Sequence, residues 1–156
     1  MRKITTCVSL LLSMLLLSFV PGCGGNGVSG KKTMELSEMG VSITIPEGWQ
    51  LDNPQACHKG DNTGLLMEEG LEGQSFEKSA AQMSQEFGSV IISESKLTIN
   101  GHNAIKAVIN TPAGDRLLRI YIHKGGKIII ISFVISKEEY PAHESALQQS
   151  MQSIII

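Results

Sequence analysis

The residues best suited to chemistry fall in one polar stretch, with Asp52, Cys57, His58 and Asp61 inside ten positions. A thiol beside an imidazole has the composition of a cysteine nucleophile and its base. A thiol, an imidazole and two carboxylates are also the usual ligand types for a metal ion. The spacing argues against both. Cys57 and His58 are adjacent, so their side chains diverge and rarely serve one ion unaided. No CxxC, HExxH or GxSxG occurs anywhere in the chain. The other histidines past the leader are scattered: His102 follows a turn and is expected at the solvent, His123 is expected beside Ile128, and His143 on a helix facing a sheet. Glu68-Glu69 and Glu138-Glu139 read as solvated charges. Gly25, Gly27 and Gly30 form a formal GxGxxG, but no strand leads into it and no helical pattern follows, so it lacks the setting of a phosphate cradle. The sequence therefore predicts no catalytic residue, no metal ligand and no cofactor, and the chain is expected not to be an enzyme.

Chemistry of another kind is signalled at Cys23. Met1-Arg2-Lys3 is followed by a mainly apolar run over residues 4–20, then Pro21 and the small Gly22. A basic start, a short apolar core and a small residue before the cut are the layout of a secretory signal. The apolar run is short for a spanning helix, which needs about 20 residues. Val20-Pro21-Gly22-Cys23 resembles the lipobox of bacterial lipoproteins, with Pro21 as its one departure. That resemblance implies lipid on the Cys23 sulfur, cleavage before Cys23 and an acylated new N-terminus. Several acyl chains would hold the protein on a membrane, where one chain holds only weakly. Gly24 rather than Asp follows Cys23, which by the enterobacterial sorting rule directs the protein to the outer membrane, facing the periplasm, if the host has two membranes. Cys7 leaves with the leader and Cys23 is consumed, so Cys57 is expected to stand alone without an intrachain disulfide. A buried inert thiol and a reactive or intermolecular one both remain open for it.

This divides the chain into a lipoprotein signal peptide at 1–22, a lipidated cysteine and flexible Gly-rich tether at 23–33, and a single domain at 34–156. Arg2 and Lys3 leave with the leader, so the 13 basic residues become 11 against 15 acidic ones and the net charge moves from −2 to −4. No basic stripe is visible, which argues against nucleic acid as a partner and against a polybasic membrane patch.

The elements follow from periodicity. Residues 34–36 suit a short strand, 38–40 a turn, and 41–45 a strand with Val41, Ile43 and Ile45 on one face. Pro46-Glu47-Gly48 turns the chain, and Trp49 is expected to fold over the core edge. Residues 52–62 read as a long irregular loop, and 64–68 as a strand. Over 75–87 the period changes: Phe76, Ala80, Met83 and Phe87 make one helical face, which Gly88 ends. Residues 90–99 form one long or bent strand. Asn100-Gly101 turns it into a strand at 102–110 with Ile105, Ala107 and Ile109 on one side.

Residues 115–136 are the firmest piece. A turn at Gly125-Gly126 pairs Ile122 with Ile129, Ile120 with Ile131 and Leu118 with Phe133 on one face. The other face carries His123/Ile128, Tyr121/Ile130, Arg119/Ser132 and Leu117/Val134, still largely apolar. A sheet apolar on both sides requires cover on both sides. Lys124 and Lys127 are expected at an exposed tip. Ser136 and Glu139 fit a capping box, but Pro141 displaces the main helix start to near Tyr140. Tyr140, His143, Leu147, Met151 and Ile154 then form one helical face running to the C-terminus.

The predicted class is α+β, an antiparallel sheet with helices on both faces. The stretches 42–49, 97–104 and 117–135 with the following helix resemble the PsbP/Mog1-like superfamily, in particular the bacterial DcrB-like and PsbP-related lipoproteins. The resemblance spans about residues 34–156. It implies an α/β/α sandwich and no common enzyme activity. The expected function is a membrane-anchored envelope lipoprotein acting as a non-enzymatic accessory or protein-binding module, with an envelope protein as partner. The alternative is a carrier of a small apolar ligand or lipid, and the third reading is a hydrolase built on the 52–62 stretch.

Overall fold

The computed structural model describes residues 32–61, 63–70 and 75–156, without the side chain of Phe87. The leader, Cys23 and residues 24–31 of the tether expected over 23–33 lie outside the described residues, and so does the predicted placement of Phe87 on the helical face; Thr33, expected to end the tether, stands in a strand.

The middle of the fold is the hairpin of β8 (Asp115–Lys124) and β9 (Lys127–Ser136). Its register is the predicted one, from Lys124 opposite Lys127 to Asp115 opposite Ser136. Gly125 and Gly126 have φ of 58° and 78°, which an ordinary side chain would resist at both positions of so tight a turn. Around this hairpin stand β3 (Gln50–Asn53), β4 (Ala56–His58), β5 (Gly64–Gly70), β6 (Val90–Ile99) and β7 (His102–Asn110). They form a seven-stranded antiparallel sheet in the order β3-β4-β5-β9-β8-β7-β6.

One face is covered by α1 (Phe76–Gln85). Ala80 and Met83 pack there on Ile105, Ala107, Ile109, Leu117, Tyr121, Ile128 and Ile130. Ser75 starts the helix, its hydroxyl accepting from Lys78 N at 3.2 Å. A Cβ on Gly70 would sit 2.7 Å from Ile130 Cδ1, so glycine lets this side of the sheet pack closely. The hydroxyl of Ser84 donates to Tyr121 Oη at 3.0 Å, satisfying a polar pair in this layer. The opposite face is covered by the hairpin of β1 (Thr33–Leu36) and β2 (Val41–Thr44), by Trp49, and by α2 (Tyr140–Gln152). Val41, Ile43 and Ile45 bury there with Tyr140, Leu147 and Ile154. The architecture is thus α+β, with a large antiparallel sheet flanked by helices on both faces.

Three local expectations are corrected. Residues 52–62 are not one irregular loop. β3 and β4 pair as a hairpin, with Gln50 opposite His58, turned by Asn53, whose Oδ1 accepts from Gln55 N at 2.8 Å. The helix α2 stops at Gln152, and Ile155 then bridges back to Ser42 through two backbone bonds of 2.9 and 3.0 Å. Lys124 does not extend freely into solvent. Its ammonium donates to the Met39 and Gly40 carbonyls, while Lys127 pairs with Glu69 at 3.1 Å. His123 stands opposite Ile128, as expected, and its ring also stacks on Phe76, with centroids 5.4 Å apart. The capping box is half made: Glu139 N donates to Ser136 Oγ at 3.3 Å, but α2 begins at Tyr140 with Pro141 in its first turn.

Phe133 is fully buried between β8 and β5, opposite Leu118 and Leu65. Phe133→Ala is expected to lower unfolding stability by about 3–5 kcal/mol, through lost burial and the cavity left behind. Urea unfolding followed by circular dichroism checks this.

Candidate functional site

Strand alternation separates the two residues whose adjacency drew attention in the sequence. On β4, Cys57 stands opposite Leu65 and belongs to the core under α2. His58, one position on, stands opposite Gly64 and turns to the other face. Cys57 and His58 are therefore not brought together as nucleophile and base. Cys57 is 2% exposed, and its thiol is pushed up to about 12, first by burial and then by the negative charge of Asp52. Both causes oppose the thiolate, so the buried inert alternative is the one the fold adopts.

His58 has acquired a different companion. The bulge between Leu51 and Asn53 on β3 accompanies Asp52's approach to it, and Asp52 Oδ1 lies 2.6 Å from His58 Nδ1. Both side chains are about two-fifths exposed, at 42% and 41%. The pair sits beside an open groove of about 370 Å³ at the end of the sheet where β5 and β8 begin and β9 ends. His58, Gly60, Asp61, Thr63, Gly64, Asp115 and Val134 line it. Thr63 is buried; its hydroxyl donates to Glu139 Oε2 at 3.4 Å, and its carbonyl accepts from Lys59 N at 2.8 Å. These contacts hold Lys59 and Thr63, between β4 and β5, against the start of α2.

The groove is thus acidic, with one imidazole held by a carboxylate. It offers hydrogen-bond acceptors and a protonatable ring to a polar or cationic group. Among the described residues it does not hold an assembled nucleophile: Cys57 faces the core, and Thr63 Oγ1 is engaged by Glu139. Among the described residues, no three His, Cys, Asp or Glu side chains converge as a metal site. The predicted site residue Cys23 lies outside the described residues. The Asp52–His58 pair was missed as a contact, although Asn53-Pro54 between them is a turn signal. Thr63 and Asp115 carried no local signal, because they join the groove only through sheet pairing.

No family model matches this chain, and no curated protein matches it. Solved structures do. Cyanobacterial PsbP (CyanoP) from Synechocystis sp. PCC 6803 is similar with a TM-score of 0.57 at 13% identity, covering 86% of this chain and 97% of that one. PA94 from Pseudomonas aeruginosa, a protein of unknown function, is similar with a TM-score of 0.55 at 18% identity, covering 80% and 96%. At these identities the likeness is one of fold, and it agrees with the PsbP-like part of the resemblance drawn from the sequence.

The Cys57 environment predicts a pH dependence. The fold retains the neutral thiol, whereas the unfolded chain releases its proton near the ordinary value of about 8.5. The stabilisation is present in full below that range and is lost as pH rises toward 12. Urea midpoints measured from pH 8 to 11 are expected to fall more steeply for the wild type than for Cys57→Ala. The native thiol should also react with a disulfide reagent only as fast as the chain unfolds.

Proposed function

We propose that this chain is a lipid-anchored bacterial envelope lipoprotein of the DcrB-like or PsbP-related kind. Its domain acts as a non-enzymatic accessory or protein-binding module. The observation that carries this reading is the contrast between two cysteines. Cys57 is buried and held protonated, so it suits neither acylation nor nucleophilic catalysis. Cys23 follows a basic and apolar leader in a lipobox-like context, and Gly24 rather than Asp comes next. In a host with two membranes this favours the outer membrane, with the domain facing the periplasm.

The acidic groove beside Asp52 and His58 gives such a module a place to receive a polar segment of an envelope protein. The carrier alternative calls for an enclosed apolar space. The described core layers on both faces of the sheet are filled by side chains such as Tyr121 and Phe133, each 0% exposed, and the groove is open and half polar. The accessory reading is therefore preferred.

Radiolabelled palmitate supplied to the native host is expected to enter the wild-type chain and not a Cys23→Ala chain. Equal labelling of both would remove the anchor from the proposal. Crosslinking in intact cells should then capture an envelope protein with the wild type and less of it with an Asp52→Ala, His58→Ala pair. An unchanged capture would move the contact away from the groove.

A further inference from the structure

The two edges of the seven-stranded sheet differ. At one end β3 has four residues, carries a bulge and runs into Pro54, whose carbonyl is already used by Glu35 N at 2.7 Å. Such an edge is closed to further pairing by shortness and irregularity. At the other end β6 is ten residues long and, among the described strands, pairs only with β7. Two of its apolar side chains, Val90 and Ile92, are 59% and 52% exposed. A bulge at Ile91/Ser93 interrupts its first part, but from Ser93 to Ile99 the register with β7 is regular. A regular outer strand of this length presents a row of unpaired backbone donors and acceptors.

The charges on that regular stretch choose a partner. Glu94 stands opposite Ala107 and Lys96 opposite Ile105, so both point to the α1 face of the sheet. Both are exposed, and Lys96 also lies 3.6 Å from Glu77 on α1. Suppose two copies of β6 meet antiparallel about a twofold axis normal to the sheet. The faces are then shared, and the register is defined by the residue that meets itself. Centring on Glu94 opposes two glutamates, and centring on Lys96 opposes two lysines. Centring on Ser95 places Glu94 opposite Lys96 of the partner subunit, twice by symmetry. Opposite charges directly across strands stabilise pairing, and like charges oppose it.

We infer that β6 is a self-pairing edge, through which two copies of this chain join antiparallel at Ser95 with reciprocal Glu94–Lys96 contacts. The isologous contact closes on itself and yields a dimer, not a fibre. The same two charges that discourage the neighbouring self-registers select this one, which is how an edge strand can be specific without being adhesive.

The test is sedimentation equilibrium of the full chain in nonionic detergent, with micelles in excess of protein, over 1–100 μM. Wild type is expected to form a dimer. Glu94→Lys and Lys96→Glu are each expected to weaken dimerisation at least 10-fold, and the double reversal to restore it. Circular dichroism of each variant, with cooperative thermal unfolding, confirms that the exposed substitutions leave the fold intact. A wild type that stays monomeric at 100 μM overturns the inference. So does a dimer that survives either single reversal, or one that the double reversal fails to rescue. None of these outcomes bears on lipid attachment at Cys23.

Discussion

Two strands that are apolar on both faces cannot be left half covered, and this constraint organises the chain. Ile120, Ile122, Ile129, Ile131 and Phe133 on one side of the β8–β9 hairpin, and Tyr121, Ile128 and Ile130 on the other, are all at most 5% exposed. Once the hairpin register is set, every neighbouring element becomes a cover or an extension. The β1–β2 hairpin and α2 come from opposite ends of the chain to close one face. Ser42 and Ile155 tie them together, with Ser153 Oγ accepting from Thr44 N at 2.9 Å. The α1 helix closes the other face. There the layer accommodates polar groups only in part, at the helix end, while Arg119 Nε and Ser132 Oγ are buried with no hydrogen-bond partner among the described residues. Arg119 Nη1 donates to the Met83 carbonyl at 3.1 Å, where the last carbonyls of α1 are free and the helix dipole favours a cation.

This dependence explains which parts of the fold were legible in the sequence. The β8–β9 register, the helix face of Ala80 and Met83, the Asn100-Gly101 turn and the late start of α2 at Tyr140 follow from local chemistry: period, turn residues and Pro141. What was not legible depends on the partner strand. β3 has an all-exposed pattern with no alternation to read, and it exists as a strand because β4 lies beside it. Lys124 reads as a solvated tip in the sequence because nothing local reveals that the Met39 and Gly40 carbonyls lie within reach of its ammonium.

The candidate site shows the same division more sharply. Adjacent side chains diverge, which argues against a shared site at Cys57-His58 even in a stretch that reads as a loop. Only the fold could say which of the two faced the core. Burial took the thiol and left the imidazole at the groove, where Asp52 could reach it across the β3–β4 hairpin. A charge near a buried thiol and a charge near an exposed ring are the same carboxylate here. Asp52 therefore suppresses the Cys57 thiolate while it orients His58. One substitution at Asp52 would thus act on both faces of β4.

The likeness to CyanoP and PA94 at 13% and 18% identity fits this physical division. A core needs apolar side chains of about the right volume at the right period, and many sequences supply them. The groove and the outer side of β6 are under no such demand, so their residues are free to differ between proteins that share the sheet. It follows that the individuality of this chain lies where packing is silent: in the Asp52–His58 pair, in the acidic lining at Asp61 and Asp115, and in the order Glu94-Ser95-Lys96 along β6, which among the described strands pairs only with β7. A lipid anchor would strengthen the last of these. Confining copies to one membrane raises their effective concentration, so a short edge-to-edge contact that is weak in dilute solution becomes significant between tethered neighbours.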